Sequence, residues 1–312
     1  MRTIKLSYPH TLLMDELPET VAAIGFFDGV HKGHQQLINT AVNKARDKQM
    51  ESAVITFHPH PSVVLKKDVQ HVQYITPLHV KQELMQQLNV DRLYVITFDK
   101  DLSSLEPQAF INHFIINLNI KHLVTGFDFS YGHKGLGNVE TLEDHAQSKF
   151  NYTIITEVQS DDQKISSTRI RELMKSGDIK KVNNLLNRPL IVTGTVEEGE
   201  KRGRAIGYPT ANIKVSPDAL LPKIGVYAVK VLFKNEVYEG MASLGYNPTF
   251  TNDREKPIIE VNIFDYNNDL YGEELIVEWH KYIRDEVKFS SAEKLIEQIA
   301  QDEKEIRNYF YR

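Results

Sequence analysis

Along the first half of the chain, apolar positions alternate between continuous runs, which read as buried strands, and recurrences at helical spacing. Residues 20–27 and 52–57 are strand-type runs, and between them Leu37, Ile38, Ala41, Val42 and Ala45 recur as one helix face. The pattern goes on with a helix marked by Val80, Leu84 and Leu88 and a strand over residues 92–98. A helix then opens at Pro107, with Phe110, Ile111, Phe114, Ile115 and Leu118 on its inner face. A strand over 122–129, a helix over 139–150 and a strand over 153–158 complete the series. Strands alternating with helices in this way predict a doubly wound α/β unit, a parallel sheet with helices on both faces. Ligands of such sheets bind beyond the carboxyl ends of the strands.

Near Asn187-Arg188-Pro189 the period changes. Short strand-like runs follow at 190–196, 226–233, 236–243, 258–264 and 274–279, and Ala292–Phe310 carries Leu295, Ile296, Ile299 and Ile306 at helical spacing. Closely spaced strands indicate an antiparallel barrel or sandwich, here with a C-terminal helix. The expected domains are therefore 1–186 and 187–312.

Composition narrows the class. The 312 residues suffice for two domains, and 41% hydrophobic and 25% charged residues describe a globular protein. The net charge of −5 argues against non-specific nucleic-acid binding. There is no cysteine, hence no disulfide and no thiol chemistry, which fits a reducing compartment. No long apolar run and no signal-peptide core are seen, so the expected location is the cytoplasm, away from membranes.

Chemistry concentrates where predicted strands end. In Gly25-Phe26-Phe27-Asp28-Gly29-Val30-His31-Lys32-Gly33-His34 a strand passes into a helix through a glycine-rich turn. Such a turn aims backbone N–H groups and the positive helix end at an anion, and His31 and His34 add donors on either side of Gly33. Taken alone, the pair also fits surface histidines in an ordinary turn, or a metal site, although a structural zinc normally has four ligands and none completes the set here. Gly126-Phe127-Asp128-Phe129-Ser130-Tyr131-Gly132 offers aromatics for a planar ring and a carboxylate for its donors, or equally a packed turn. Lys164-Ile165-Ser166-Ser167-Thr168-Arg169-Ile170-Arg171 reads as a helix start whose hydroxyls, free N–H groups and guanidinium suit outer phosphates. Residues 199–213 form a glycine-punctuated basic loop ending in Tyr208-Pro209-Thr210-Ala211-Asn212, where Thr210 and Asn212 present oxygens suited to Mg²⁺.

These elements carry a resemblance. The stretch around His31 and His34 resembles the His-x-Gly-His signature of nucleotidyltransferases, and Ser166-Ser167-Thr168 with Arg171 resembles its companion Ser-Ser-Thr-x-x-Arg. Gly207-Tyr208-Pro209-Thr210-Ala211-Asn212 resembles the Gly-x-Pro-Thr-Ala-Asn motif of riboflavin kinases. In family order follow Gly225-Val226-Tyr227-Ala228, Leu244-Gly245-Tyr246-Asn247-Pro248-Thr249-Phe250, Glu260-Val261-Asn262-Ile263, Asp269-Leu270-Tyr271-Gly272 and Ile283-Arg284-Asp285-Glu286-Val287-Lys288-Phe289. Over nearly its full length the chain is similar to the bifunctional riboflavin kinase/FAD synthetases of bacteria.

The resemblance implies a Rossmann-like nucleotidyltransferase domain that adenylylates FMN to FAD and releases pyrophosphate, followed by a barrel that phosphorylates riboflavin to FMN. ATP and Mg²⁺ are the implied cofactors, and riboflavin, FMN and ATP the only implied partners, with a weak homo-oligomer left open. It implies Glu260 as general base of the kinase step and His31 and His34 as the adenylyl-transfer pair. Gly25, Gly33, Ser167, Thr168, Arg171, Gly203 and Gly207 are implied to hold nucleotide, Asp128, Phe129 and Arg284 to hold flavin, and Thr210 and Asn212 to hold the metal. Lys32, Ser62 and Tyr131 depart from common family residues, and Ser62 weakens one flavin-side contact. The competing readings are an adenylyltransferase for another phosphorylated small molecule with a non-catalytic barrel, an RNA-binding synthetase-like protein, and a non-catalytic flavin binder.

Overall fold

The computed structural model describes residues 1–199, 202–246 and 257–311. The chain forms two compact units, Met1–Ser167 and Thr168–Arg312.

Six parallel strands organise the first unit: β1 (Arg2–Leu6), β2 (Thr20–Ile24), β3 (Glu51–His58), β4 (Arg92–Thr97), β5 (Ile120–Gly126) and β6 (Asn151–Ile155), in the order β1-β4-β3-β2-β5-β6. Every residue of β2 is buried, as a central strand covered on both faces must be. The connections include α1 (Lys32–Asp47), α2 (Leu78–Gln87), α3 (Pro107–Ile111) and α4 (Leu142–Ala146). The chain moves from β2 outward through β3 to β4, then returns to place β5 on the other side of β2. The carboxyl end of β2 therefore lies at the switch point, where a crevice opens.

Local details depart from the apolar pattern. Strand β1, too short to show a period, was not expected, yet it pairs in parallel with β4. The expected helix over 139–150 shrinks to α4, because the Asn138 side chain accepts from the N–H groups of Glu140 and Thr141 at 2.9 and 3.2 Å and makes a turn instead. The strand expected over 122–129 stops at Gly126, whose carbonyl accepts from the Phe129 N–H at 3.1 Å. Beyond Ile111 the helix begun at Pro107 widens into a π-turn over Asn112–Ile116.

The second unit begins within α5 (Ser167–Ser176), continues through α6 (Ile179–Leu186), and closes a six-stranded antiparallel barrel. Its strands are β7 (Leu190–Glu197), β8 (Ala211–Val215), β9 (Gly225–Phe233), β10 (Glu236–Gly245), β11 (Ile258–Ile263) and β12 (Glu274–Arg284), in the closed order β7-β8-β11-β10-β9-β12. Strand β8, read from the sequence as ligand loop, is the addition that closes the barrel. The core holds Tyr227 and Trp279, both fully buried and edge to face at 4.8 Å. Helix α7 (Ala292–Phe310) covers the barrel with Ile306 against Val226, Ala228 and Met241. Helix α6 belongs to this unit: Asn183 Nδ2 donates to the Trp279 carbonyl at 2.8 Å, and Asn183 Oδ1 accepts from the Leu190 N–H at 2.8 Å.

Candidate active sites

In the first unit, the turn after β2 is built from left-handed residues, Phe27 at φ 54°, Gly29 at 86° and Val30 at 43°. Tertiary bonds hold this unusual backbone in place. Asp28 Oδ1 accepts from the Thr76 N–H at 3.1 Å, and Thr76 Oγ1 accepts from the Gly29 N–H at 2.8 Å. Ser167 Oγ donates to the Asp28 carbonyl at 2.8 Å, so the Ser167 expected to grip phosphate is placed at the turn itself.

His31 is the N-cap of α1, its Nδ1 accepting from the His34 N–H at 3.3 Å. The ring proton is thereby assigned to Nε2, a donor. The two imidazoles stack with centroids 3.6 Å apart. Gly33 permits this: a Cβ there would lie 3.3 Å from the His31 ring. A Cβ at Gly25 would likewise press on the Phe27 ring at 3.0 Å. Burial lowers the His31 pKa to about 4, with the Lys164 charge adding and a backbone hydrogen bond opposing. His34 is held well below the ordinary value by burial, then by His31 and Lys81. Both rings are neutral at pH 7, and a neutral imidazole offers hydrogen-bond donation rather than positive charge.

Asp128 is exposed at the end of β5 and pairs with Lys164 Nζ at 2.8 Å, while the same ammonium lies over the Phe127 ring at 4.5 Å. Phe129 packs on Tyr131 with ring centroids 5.2 Å apart, and the aromatic open to the surface is Phe127, 39% exposed. Beyond β3, Phe26, His60 and Tyr74 form a ring cluster, with Phe26 and His60 edge to face at 4.6 Å. Apart from Phe26, whose motif was singled out, this cluster and Thr76 and Lys81 were given no role by sequence reasoning. Their signal is spread over distant segments.

In the second unit, Thr168 and Arg171 lie in the first two turns of α5, Thr168 exposed and Arg171 half-buried. On the barrel, Glu260 stands in register between Asn212 of β8 and Ser243 of β10. Its chain neighbours Ile259 and Val261 are fully buried, so Glu260 faces away from the core as the alternation predicts. Asn212 lies against Gly199, where a Cβ would fall 2.0 Å from Nδ2. Thr210 is exposed beside the start of β8, and Asn262 Nδ2 donates to the Pro209 carbonyl at 2.7 Å, fixing the entry to that strand. Gly203 meets the returning chain closely, since a Cβ would lie 2.2 Å from the Tyr208 carbonyl oxygen; Gly207 has φ 86°.

Arg284 is engaged by the buried Asp302 of α7, Nε to Oδ2 at 2.8 Å and Nη2 to Oδ2 at 2.7 Å, with Gln298 Nε2 also donating to Asp302 at 2.8 Å. Burial pushes the Glu286 carboxyl up, Arg284 opposing and the Glu260 charge adding. Glu286, a residue of the 283–289 motif with no implied role, is thus an acidic neighbour of the expected base. The motif residues Glu200, Lys201 and 247–250 lie outside the described residues.

The hydroxyl of Thr210 and the amide oxygen of Asn212 are hard donors fit for Mg²⁺. Among the described residues no group of three or more His, Asp or Glu could hold a metal ion. A cation here would take most of its ligands from nucleotide phosphates and water, as Mg²⁺ usually does.

Comparison with known proteins agrees with both halves. The family model for FAD synthetase matches residues 13–169, and that for riboflavin kinase matches residues 186–310. A bifunctional riboflavin kinase/FMN adenylyltransferase of Bacillus subtilis is 45% identical over 99% of this chain and 98% of its own length. One from Listeria monocytogenes is 46% identical over 99% and 98%. A crystal structure described as a macrolide-efflux protein from Streptococcus pneumoniae is 35% identical, covers 99% of each chain and superposes with a TM-score of 0.89. Among the described residues of the present chain, no helix is long and apolar enough to cross a membrane. By the two family-model matches and near-full-length identity to its bacterial relatives, the chain belongs to the bifunctional riboflavin kinase/FMN adenylyltransferase family.

Proposed function

We propose that this bifunctional riboflavin kinase and FMN adenylyltransferase divides its two reactions between the two sites, adenylyl transfer at His31 and His34 and phosphoryl transfer at Glu260. The observation that carries the reading is the register of the barrel, which sets Glu260 beside Asn212 on one face. In the kinase step Glu260 takes the proton of the riboflavin 5′-hydroxyl as its oxygen attacks the γ-phosphorus of ATP, and ADP leaves. Thr210 and Asn212 hold the Mg²⁺ that offsets phosphate charge, Gly203 and Gly207 let the loop backbone approach the nucleotide, and Arg284 contacts flavin.

In the adenylyl step the FMN phosphate is already anionic and needs no base. Its oxygen attacks the α-phosphorus of a second ATP and pyrophosphate leaves. The neutral imidazoles donate to the phosphate chain, Gly25 and Gly33 leave room for it, and Ser167, Thr168 and Arg171 grip its outer end. Asp128 and Phe129 contact the flavin. We place the functional boundary at 186/187, so that α5 and α6 belong in sequence to the first activity while packing within the second compact unit. The reactions are assigned to the cytoplasm, on small molecules alone; the absence of cysteine and the net charge of −5 support this.

Chromatography of flavins after incubation with riboflavin, ATP and Mg²⁺ tests the division. Glu260→Gln is expected to slow FMN formation about 10²–10⁴-fold while FMN still becomes FAD, and His31→Asn to slow FAD formation about ten- to 150-fold while FMN still forms. Equal loss of both activities in either variant would sink it.

A further inference from the structure

Behind the histidine-bearing turn, α2 carries a buried amine that the two-step reading leaves unused. Lys81 is 3% exposed, and its Nζ donates to the Phe26 carbonyl at 2.7 Å and to Thr56 Oγ1 at 3.3 Å. Thr56 Oγ1 donates to the same carbonyl at 2.9 Å, and the ammonium lies 4.7 Å from the Phe26 ring centroid. One oxygen thus receives two hydrogen bonds immediately before the left-handed backbone that leads to His31. Both direct partners of the ammonium are neutral. The carboxylate acting on it is that of Asp28, itself buried in the turn.

Burying an ammonium is costly, and a neutral side chain of similar size could brace a carbonyl without that penalty. A charge retained at such a site points to electrostatics. The charge reaches the histidine pair, since Lys81 is among the causes that hold His34 neutral. Under the assignment of adenylyl transfer to that pair, the negative charge of a triphosphate gathers there.

We propose that Lys81 is a positioning residue for adenylyl transfer: through Phe26 and Thr56 it fixes the turn that carries His31 and His34, and it sets a buried positive charge behind them. This rests on the assignment of adenylyl transfer to that pair.

The test is Lys81→Gln, which retains a donor, beside Lys81→Met, which does not, each in the full chain. The kcat for FMN to FAD is expected to fall about ten- to 150-fold in both, the range for losing a charge-assisted contact, with the KM for ATP and the kinase rates unchanged. By NMR, the His34 ring is expected to titrate at higher pH in both variants than in the wild type. An unchanged adenylylation kcat in Lys81→Gln, or an unchanged His34 titration, would overturn the proposal.

Should both variants fail to fold, the pH dependence of the wild type decides. Burial lowers the Lys81 pKa to about 8; Asp28 of the turn favours the charge, neutral His34 faces it from α1, and Thr56 of β3 contributes only a hydroxyl. Adenylylation is then expected to decline as pH rises through 8 while phosphorylation does not. Unfolding through this lysine has the opposite sign: the native state binds its proton less tightly than the unfolded chain, so its contribution to stability grows between about 8 and 10.5. Adenylylation flat across pH 8 would refute the proposal. A wild-type chain that formed no FAD would instead overturn the parent assignment, and the His34 titration would still decide whether the charge acts on the pair.

Discussion

The two imidazoles show how burial changes a residue's chemistry. In water His31 would be partly protonated near neutrality, but behind the turn burial lowers its pKa to about 4, so at neutral pH the ring is an uncharged donor. The same shift is a statement about stability. The unfolded chain protonates this ring below pH 6.5 and the native state only near 4, so its contribution is complete above 6.5 and is lost as pH falls from there to 4. Over the full window it amounts to on the order of 3 kcal/mol. Denaturant unfolding of His31→Asn, which keeps a side-chain acceptor at the N-cap, is expected to show a flatter acid limb than the wild type; an unchanged limb would refute the burial account. The placing of two histidines about Gly33 in a strand-to-helix turn is legible in the sequence. Their neutrality is not, because it comes from burial and, for His34, also from the charge of Lys81 on α2, a segment that shares no local pattern with the turn.

At the scale of elements, a buried ion pair joins α7 to the barrel beside its apolar contacts. Asp302 of α7 has a nearly inaccessible side chain and receives both the Arg284 guanidinium of β12 and Gln298. Removing one partner of such a pair strands the other charge. Asp302→Ala is therefore expected to destabilise the second unit by about 3–5 kcal/mol, read as a drop in denaturant midpoint. The sequence shows α7 clearly through Leu295, Ile296, Ile299 and Ile306, yet it offers Arg284 as a motif residue implied to hold flavin and not as a partner of α7. Helix–barrel docking is set by which residues meet, and periodicity identifies a face without naming its partner. Strand β8 was hidden for a related reason: five residues beside a proline turn show no period until β7 and β11 pair with them.

For the molecule as a whole, the turn of the chain from strand–helix alternation to clustered strands marks two activities, whereas packing draws its line elsewhere. Helix α6 buries Ile179, Val182, Leu185 and Leu186, and its Asn183 bonds both β7 and β12. A polypeptide of residues 168–312 is expected to melt at a higher temperature than one of 187–312, since losing these apolar contacts costs about 1.5–3 kcal/mol for each buried side chain. Equal melting temperatures would mean that α6 contributes nothing to the barrel.

By itself the sequence determined the class of each half, which functional groups lie near the strand ends and the order of the motifs. Those features depend on local period and on which functional groups lie within a few residues of each other. Only the tertiary structure decided that β2 lies between β3 and β5, that Glu260 faces Asn212 and Ser243, that Arg284 is held by Asp302, and that Lys81 is buried beneath the histidine turn. Strand order, register and burial arise from contacts between segments far apart in the chain, and pKa follows burial, so none of them is written in a local stretch of residues.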